Sequence, residues 1–142
     1  MRLIMERTID GDNTTYSFSV SETSEDKKTP IFSRTVLPGT VMEMSPNAWS
    51  PDNKYFFITE RSVNSINYLV FKASGEYFSD DEQYIEVVPA FDARNTGQTL
   101  SEITGWDSEA LLHVYSVKDD GSRGPSFWFE IPSHAVIQLA SH

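Results

Sequence analysis

An all-β fold is predicted by three features of this sequence. Aromatic and β-branched residues come in short clusters, Gly, Pro, Asn, Asp and Ser separate those clusters, and no segment carries a strong helical periodicity. A length of 142 residues, 39% hydrophobic and 23% charged, suits one ordinary domain with enough apolar surface to bury a core.

Taken in order, the clusters predict strands over 2–9, 15–21, 31–37, 55–60, 66–72, 84–88, 111–117, 126–131 and 135–140, with weaker ones over 41–44 and 100–104. The first two are joined by Asp10-Gly11-Asp12-Asn13, residues that tolerate positive φ in a hairpin turn. In the second, Tyr16, Phe18 and Val20 alternate with Ser17, Ser19 and Ser21, which gives one buried and one polar face and places the strand near an edge. Tyr55-Phe56-Phe57-Ile58 and Tyr68-Leu69-Val70-Phe71 are apolar on both faces, as in a sheet covered from both sides, so these two strands are expected at the centre. Asp52-Asn53 supplies the turn before strand 55–60, and Asp119-Asp120-Gly121 the turn after strand 111–117. The charged stretches 22–28 and 79–83 read as solvated loops.

Charge narrows the partners. Acidic residues outnumber basic ones 21 to 11, a net charge of −10, and such a field repels phosphate backbones and anionic lipid headgroups, so neither nucleic acid nor a membrane is expected as a partner. The absence of cysteine removes disulfides, thiolate nucleophiles and cysteine-based zinc sites. Glu6, Arg7 and Asp10 arrive before any apolar run of signal-peptide length. No run approaches the roughly 20 apolar residues of a spanning helix. A cytoplasmic location is the default expectation, and an excised periplasmic or extracellular fragment is the alternative.

An internal repeat is visible around two tryptophans. Trp49-Ser50-Pro51-Asp52-Asn53-Lys54 leads into the strand at 55–60, and Trp106-Asp107-Ser108-Glu109-Ala110 leads into the strand at 111–117. Each is followed by a polar loop, a second aromatic-rich strand and a further short strand. This unit resembles the repeat of TolB-like β-propellers and of the propeller domains of prolyl-oligopeptidase-type peptidases, in which Trp, Ser-Pro-Asp-Gly and Lys precede the second strand of a blade. Asn53 stands where that family favours Gly, and the second copy keeps Trp106 but not Ser-Pro-Asp.

The resemblance implies a partial β-propeller of two to three four-stranded antiparallel blades within a single all-β domain over 1–142, with blade-like units at 2–37, 41–88 and 100–140. Trp49, Pro51, Asp52 and Trp106 would then be structural. A β-sandwich is the alternative architecture. Because closed propellers use four to eight blades, a partial one is expected to be completed by oligomerisation, with a homo-oligomer, most simply a dimer, as the partner state.

Catalytic chemistry is hard to find. His113, His134 and His142 are not spaced as a metal-binding pair, His113 reads as a hydrogen-bonded core or inter-blade histidine, and no serine lies in a Gly-x-Ser-x-Gly turn. The acidic groups at Glu22, Glu25 and Asp26, at Asp80, Asp81 and Glu82, and at Asp119 and Asp120 read as solvated. No catalytic residue, metal or cofactor is assigned. The expected function is a non-catalytic binding or assembly module, and a carbohydrate-active enzyme with channel-mouth carboxylates, or a fragment of a longer propeller protein without separate function, is the alternative. Propeller geometry would place a small molecule, sugar or peptide at Arg61, Asp92, Arg94, Asn95 and Arg123, with Trp106, Trp128 and Tyr84 available for stacking.

Overall fold

Among the described residues, three antiparallel sheets, none closed on itself, are laid down one after another along the chain. The computed structural model describes residues 1–22 and 27–140. Glu25, Asp26 and His142 therefore lie outside the described residues. The first sheet is the meander β1(Arg2–Asp10), β2(Asn13–Ser21) and β3(Lys28–Val36). The second is β4(Val41–Trp49), β5(Tyr55–Arg61), β6(Ile66–Lys72) and β7(Ile85–Glu86). A short helix α1(Val87–Asp92) follows, and the third sheet is β8(Thr99–Ser108), β9(Leu111–Val117), β10(Phe127–Glu130) and β11(Val136–Gln138).

The second sheet is the middle layer, because its apolar residues alternate between two separate cores. Phe56, Ile58, Leu69 and Phe71 pack with Tyr16, Phe18 and Val20 of the first sheet. Phe57, Tyr68, Val70 and Ile85 pack with Leu100, Leu112, Val114, Phe127 and Phe129 of the third. A period-two strand sends neighbouring side chains to opposite faces, so a run apolar at every position can face two neighbours at once. The expectation for the two doubly apolar strands is met.

Polar contacts tie the layers as well. Arg34 of β3 donates to the Glu60 carboxylate and to the Tyr84 hydroxyl across the first seam. Burial alone would lower the Arg34 pKa, but the Glu60 hydrogen bond and charge, with Tyr84, hold it above its ordinary value. At the second seam Trp106 Nε1 donates to the Ala48 carbonyl at 2.9 Å, and Tyr55 stacks on Trp106 with ring centres 6.0 Å apart. Gly105 has φ +147°, and a Cβ there would sit 3.2 Å from the Asn47 Cβ, so glycine is what lets β8 approach β4.

The Ser50–Lys54 turn shows why its residues are used. Asp52 Oδ1 accepts from Ser50 Oγ at 2.8 Å and from the Lys54 N–H at 3.1 Å, while Ser50 Oγ accepts from the Tyr55 N–H at 3.0 Å. Asn53 takes φ +60°, which Asn tolerates where Gly is the usual choice. Burial would raise the Asp52 carboxyl, but the Ser50 hydroxyl and the Lys54 N–H outweigh it and hold the carboxyl below the usual range. Trp49 is partly buried, against Phe56 at a ring-centre distance of 5.3 Å.

Four expectations need correction. The strand expected at 84–88 is only Ile85–Glu86, and Val87 starts a helix instead. Its Val87 and Phe91, four residues apart, are both fully buried in the core, and Pro89 lies in the first turn, where its missing N–H costs nothing. β2 is not near an edge but is the central strand of its sheet, and its polar alternation reflects an uncovered outer face. The weak strand at 41–44 continues to Trp49 through a break in pairing between Met44 and Trp49, where Pro46 has no N–H to offer β5. Finally, His113 is not in the core: it lies on the outward face of the third sheet, with Nδ1 2.9 Å from Thr104 Oγ1.

Candidate functional site

A cleft of about 820 Å³ opens between the loop after β6, the start of α1 and the turn between β10 and β11. The loop contributes Tyr77, Ser79, Asp81, Glu82, Gln83 and Tyr84, the β7–α1 junction contributes Glu86, Pro89 and Ala90, and the turn contributes His134. A volume in this range admits a small organic ligand.

The loop is pinned to the rest of the fold at Phe78, Gln83 and Tyr84. Phe78 stacks on Tyr55 at 6.0 Å, Gln83 Nε2 donates to the Ile31 carbonyl at 2.8 Å, and Tyr84 accepts from Arg34. Between these anchors Glu82 and Ser79 close a tight turn through mutual backbone bonds. The reading of 79–83 as a solvated loop holds for Asp80 and Asp81, which are exposed, whereas Glu82 and Gln83 are half-buried.

Opposite the loop, His134 has φ +63° and its ring lies over Phe129, with ring centres 6.0 Å apart. Its Nε2 is 3.8 Å from Glu82 Oε1. The backbone that carries it is clamped by Arg94, whose Nε donates to the His134 carbonyl at 3.0 Å and whose Nη2 donates to the Ser133 carbonyl at 3.3 Å.

Asp81, Glu82 and Glu86 line the cleft, and no lysine or arginine does. Two guanidiniums touch lining residues from behind: that of Arg34, which donates to Tyr84, is paired with Glu60, and that of Arg94 is turned to the Ser133 and His134 carbonyls. The carboxylates make the lining acidic, and Tyr77, 52% exposed, adds an aromatic ring that attracts cations, whereas the Tyr84 ring already has the Arg34 guanidinium over it at 5.5 Å. Among the described residues no group of three or more His, Cys, Asp or Glu is arranged to hold a metal ion.

The residues singled out from sequence fall in several places. Arg61 pairs with Glu43 at 3.3 Å on the surface, Asp92 ends α1, and Asn95 takes φ +52° in the turn that follows. Arg123 lies over the Tyr115 ring at 5.1 Å, beside a separate shallow pocket. Arg94 reaches the cleft only through the backbone it holds. Of the three candidate stacking residues, Tyr84 lines the cleft, Trp106 is built into the seam between two sheets, and Trp128 faces outward with Nε1 2.8 Å from Asp107 Oδ2. Sequence reasoning missed Tyr77, Glu86 and the pairing of Glu82 with His134, because residues 77–90 and 134 meet only in the fold. Among the described residues no helix is long and apolar enough to cross a membrane. No family model, no curated protein and no solved structure matches this chain.

Proposed function

We propose that this chain is a non-catalytic binding module, a propeller-like arc whose cleft takes a small organic cation. The observation that carries the reading is the lining: Asp81, Glu82 and Glu86 together with Tyr77, with His134 beside Glu82 but no lysine or arginine. Carboxylates and tyrosine faces together recognise ammonium groups, and a net charge of −10 steers such ligands towards the protein. The arc is supported by three consecutive meanders stacked face to face around two cores, an order that a two-layer sandwich does not need.

The test is calorimetric titration with putrescine, choline and a neutral oligosaccharide. Saturable binding of the amines that weakens with salt and falls at least about 10-fold in Glu82→Gln and Tyr77→Ala supports the reading. Preference for the oligosaccharide, or its hydrolysis, returns the carbohydrate-enzyme alternative.

A further inference from the structure

Among the described residues the three open sheets leave six strand edges, and five of them are blunted. β3 carries Pro30 and a register shift against β2, β4 carries Pro46 and a break in its pairing, and β8 shifts register at three places. β7 is two residues long and β11 three. Prolines, bulges and short strands keep an edge from recruiting another strand. β1 has none of these devices: it is nine residues long, contains no proline or glycine, and stays in unbroken register with β2 from Arg2 opposite Ser21 to Asp10 opposite Asn13. Charge also guards an edge, but the charges of β1, Arg2, Glu6, Arg7 and Asp10, sum to zero, and their order selects a partner.

The two-residue loop Gly11-Asp12 closes on Asp10 and Asn13 as a hydrogen-bonded pair, and such pairs alternate along an antiparallel ladder. Arg2, Ile4, Glu6, Thr8 and Asp10 therefore bond to β2. The backbone N–H and C=O groups of Leu3, Met5, Arg7 and Ile9 point to the open edge.

Laid antiparallel against itself about a two-fold axis at Glu6, β1 pairs along its whole length. Arg2 stands opposite Asp10 and Leu3 opposite Ile9, each twice, and Ile4 faces Thr8. The outward groups of Leu3, Met5, Arg7 and Ile9 then meet one another and are satisfied. Neither Arg2 nor Asp10 has an ion-pair partner among the described residues of its own chain, and Ile9 is 66% exposed. The two Glu6 carboxylates meet on the axis, a like-charge contact that Lys28, 2.9 Å from Glu6 in each copy, offsets. Asp12 adds to the acid that faces Arg2, and Glu22, past the end of β2, lies one strand further from the edge. An axis at Met5 instead sets Ile4 against Glu6, and one at Arg7 sets arginine against arginine.

We propose that β1 is where a second copy of the chain docks, edge to edge about a two-fold axis at Glu6, joining the two first sheets into one. Strand addition draws its affinity from backbone hydrogen bonds and its specificity from the facing side chains, and an isologous contact needs one self-complementary element. In a chain of net charge −10, a neutral strand lets two copies meet without local repulsion. One strand pair is a small interface, so the dimer is reversible rather than obligate.

Sedimentation of the full chain over a broad concentration range, with no ligand present, tests the contact. The expected result is a monomer–dimer equilibrium that Arg7→Pro weakens at least about 10-fold with circular dichroism unchanged, because proline there removes an outward N–H and spares the ladder to β2. The chain has no cysteine, so Glu6→Cys reads the register directly. Residues opposite each other in a non-hydrogen-bonded pair lie about 4.5 Å apart at Cα, within reach of a disulfide. Oxidised Glu6→Cys should therefore run as a covalent dimer, whereas Thr8→Cys, which faces Ile4, should not. A monomer at every concentration overturns the proposal, as does a dimer indifferent to Arg7→Pro, or one in which Thr8→Cys cross-links as readily as Glu6→Cys.

Discussion

Arg94 holds in place the backbone from which His134 enters the cleft, through two hydrogen bonds at 3.0 and 3.3 Å to consecutive carbonyls, those of His134 and Ser133. The forked guanidinium reaches both acceptors at once, which an ammonium cannot do in the same geometry. Arg94→Lys and Arg94→Ala are therefore expected to behave alike. Each should lower stability by about 1 kcal/mol, the net worth of such hydrogen bonds at an exposed site, and lower amine affinity as well. Thermal melts and titration of the two variants check this, and a fully functional Arg94→Lys would show that charge alone suffices.

Neutralising Asp80, Asp81 and Glu82 together separates binding from stability. The Glu82–His134 pair is partly exposed, with side chains 39% and 30% accessible, so its contribution to folding is small. The triple variant to Asn, Asn and Gln should change stability by less than about 1 kcal/mol while removing most of the amine affinity. Denaturant melts alongside calorimetry read both quantities.

The Asp52 turn carries a pH signature. Its carboxyl is held below the usual range in the folded chain, so the stability it contributes is present above the unfolded value near 3.9 and is lost as pH falls through the lower folded value. Asp52→Ala should cost about 1 kcal/mol at neutral pH, because the Ser50 hydroxyl and the Lys54 N–H lose their acceptor. The gap between variant and parent should narrow as the pH falls through the carboxylate range. Parallel urea titrations at pH 7 and pH 3 measure it.

These residues also show what could be read in the chain beforehand. Strand positions were legible wherever burial follows a period of two or apolar runs face two cores, as in Tyr16 to Val20 and Tyr55 to Ile58, because those patterns are the direct imprint of the pleat. Lateral position was not legible: the serines of β2 report an open face, and an open face is compatible with a central strand. Val87 and Val88 carry β-branched side chains, yet the core accepts Val87 and Phe91 one helical turn apart, a tertiary preference that overrides local propensity. Arg94, picked out as a ligand-facing cation, acts on a turn some forty residues away in sequence, and the loop carrying Glu82 meets that turn only through folding. Local composition has no access to such pairings.

The layered packing makes one further demand, on additivity. Ile58 faces the core shared with the first sheet, whereas Ile85, in the same sheet, faces the core shared with the third. Each is fully buried, so Ile58→Val and Ile85→Val should each cost about 0.5–1.5 kcal/mol. Because the two side chains share no cavity, the double variant should equal the sum within about 0.5 kcal/mol. Ile58 and Leu69 are cross-strand partners within one core, so combining Ile58→Val with Leu69→Ala should instead show a coupling of at least about 0.5 kcal/mol, as one relaxed cavity serves both. Chemical denaturation of the two cycles measures both values. Equal coupling in the two would mean that the faces of the middle sheet are not separate cores, and the three-layer arrangement would fail with it.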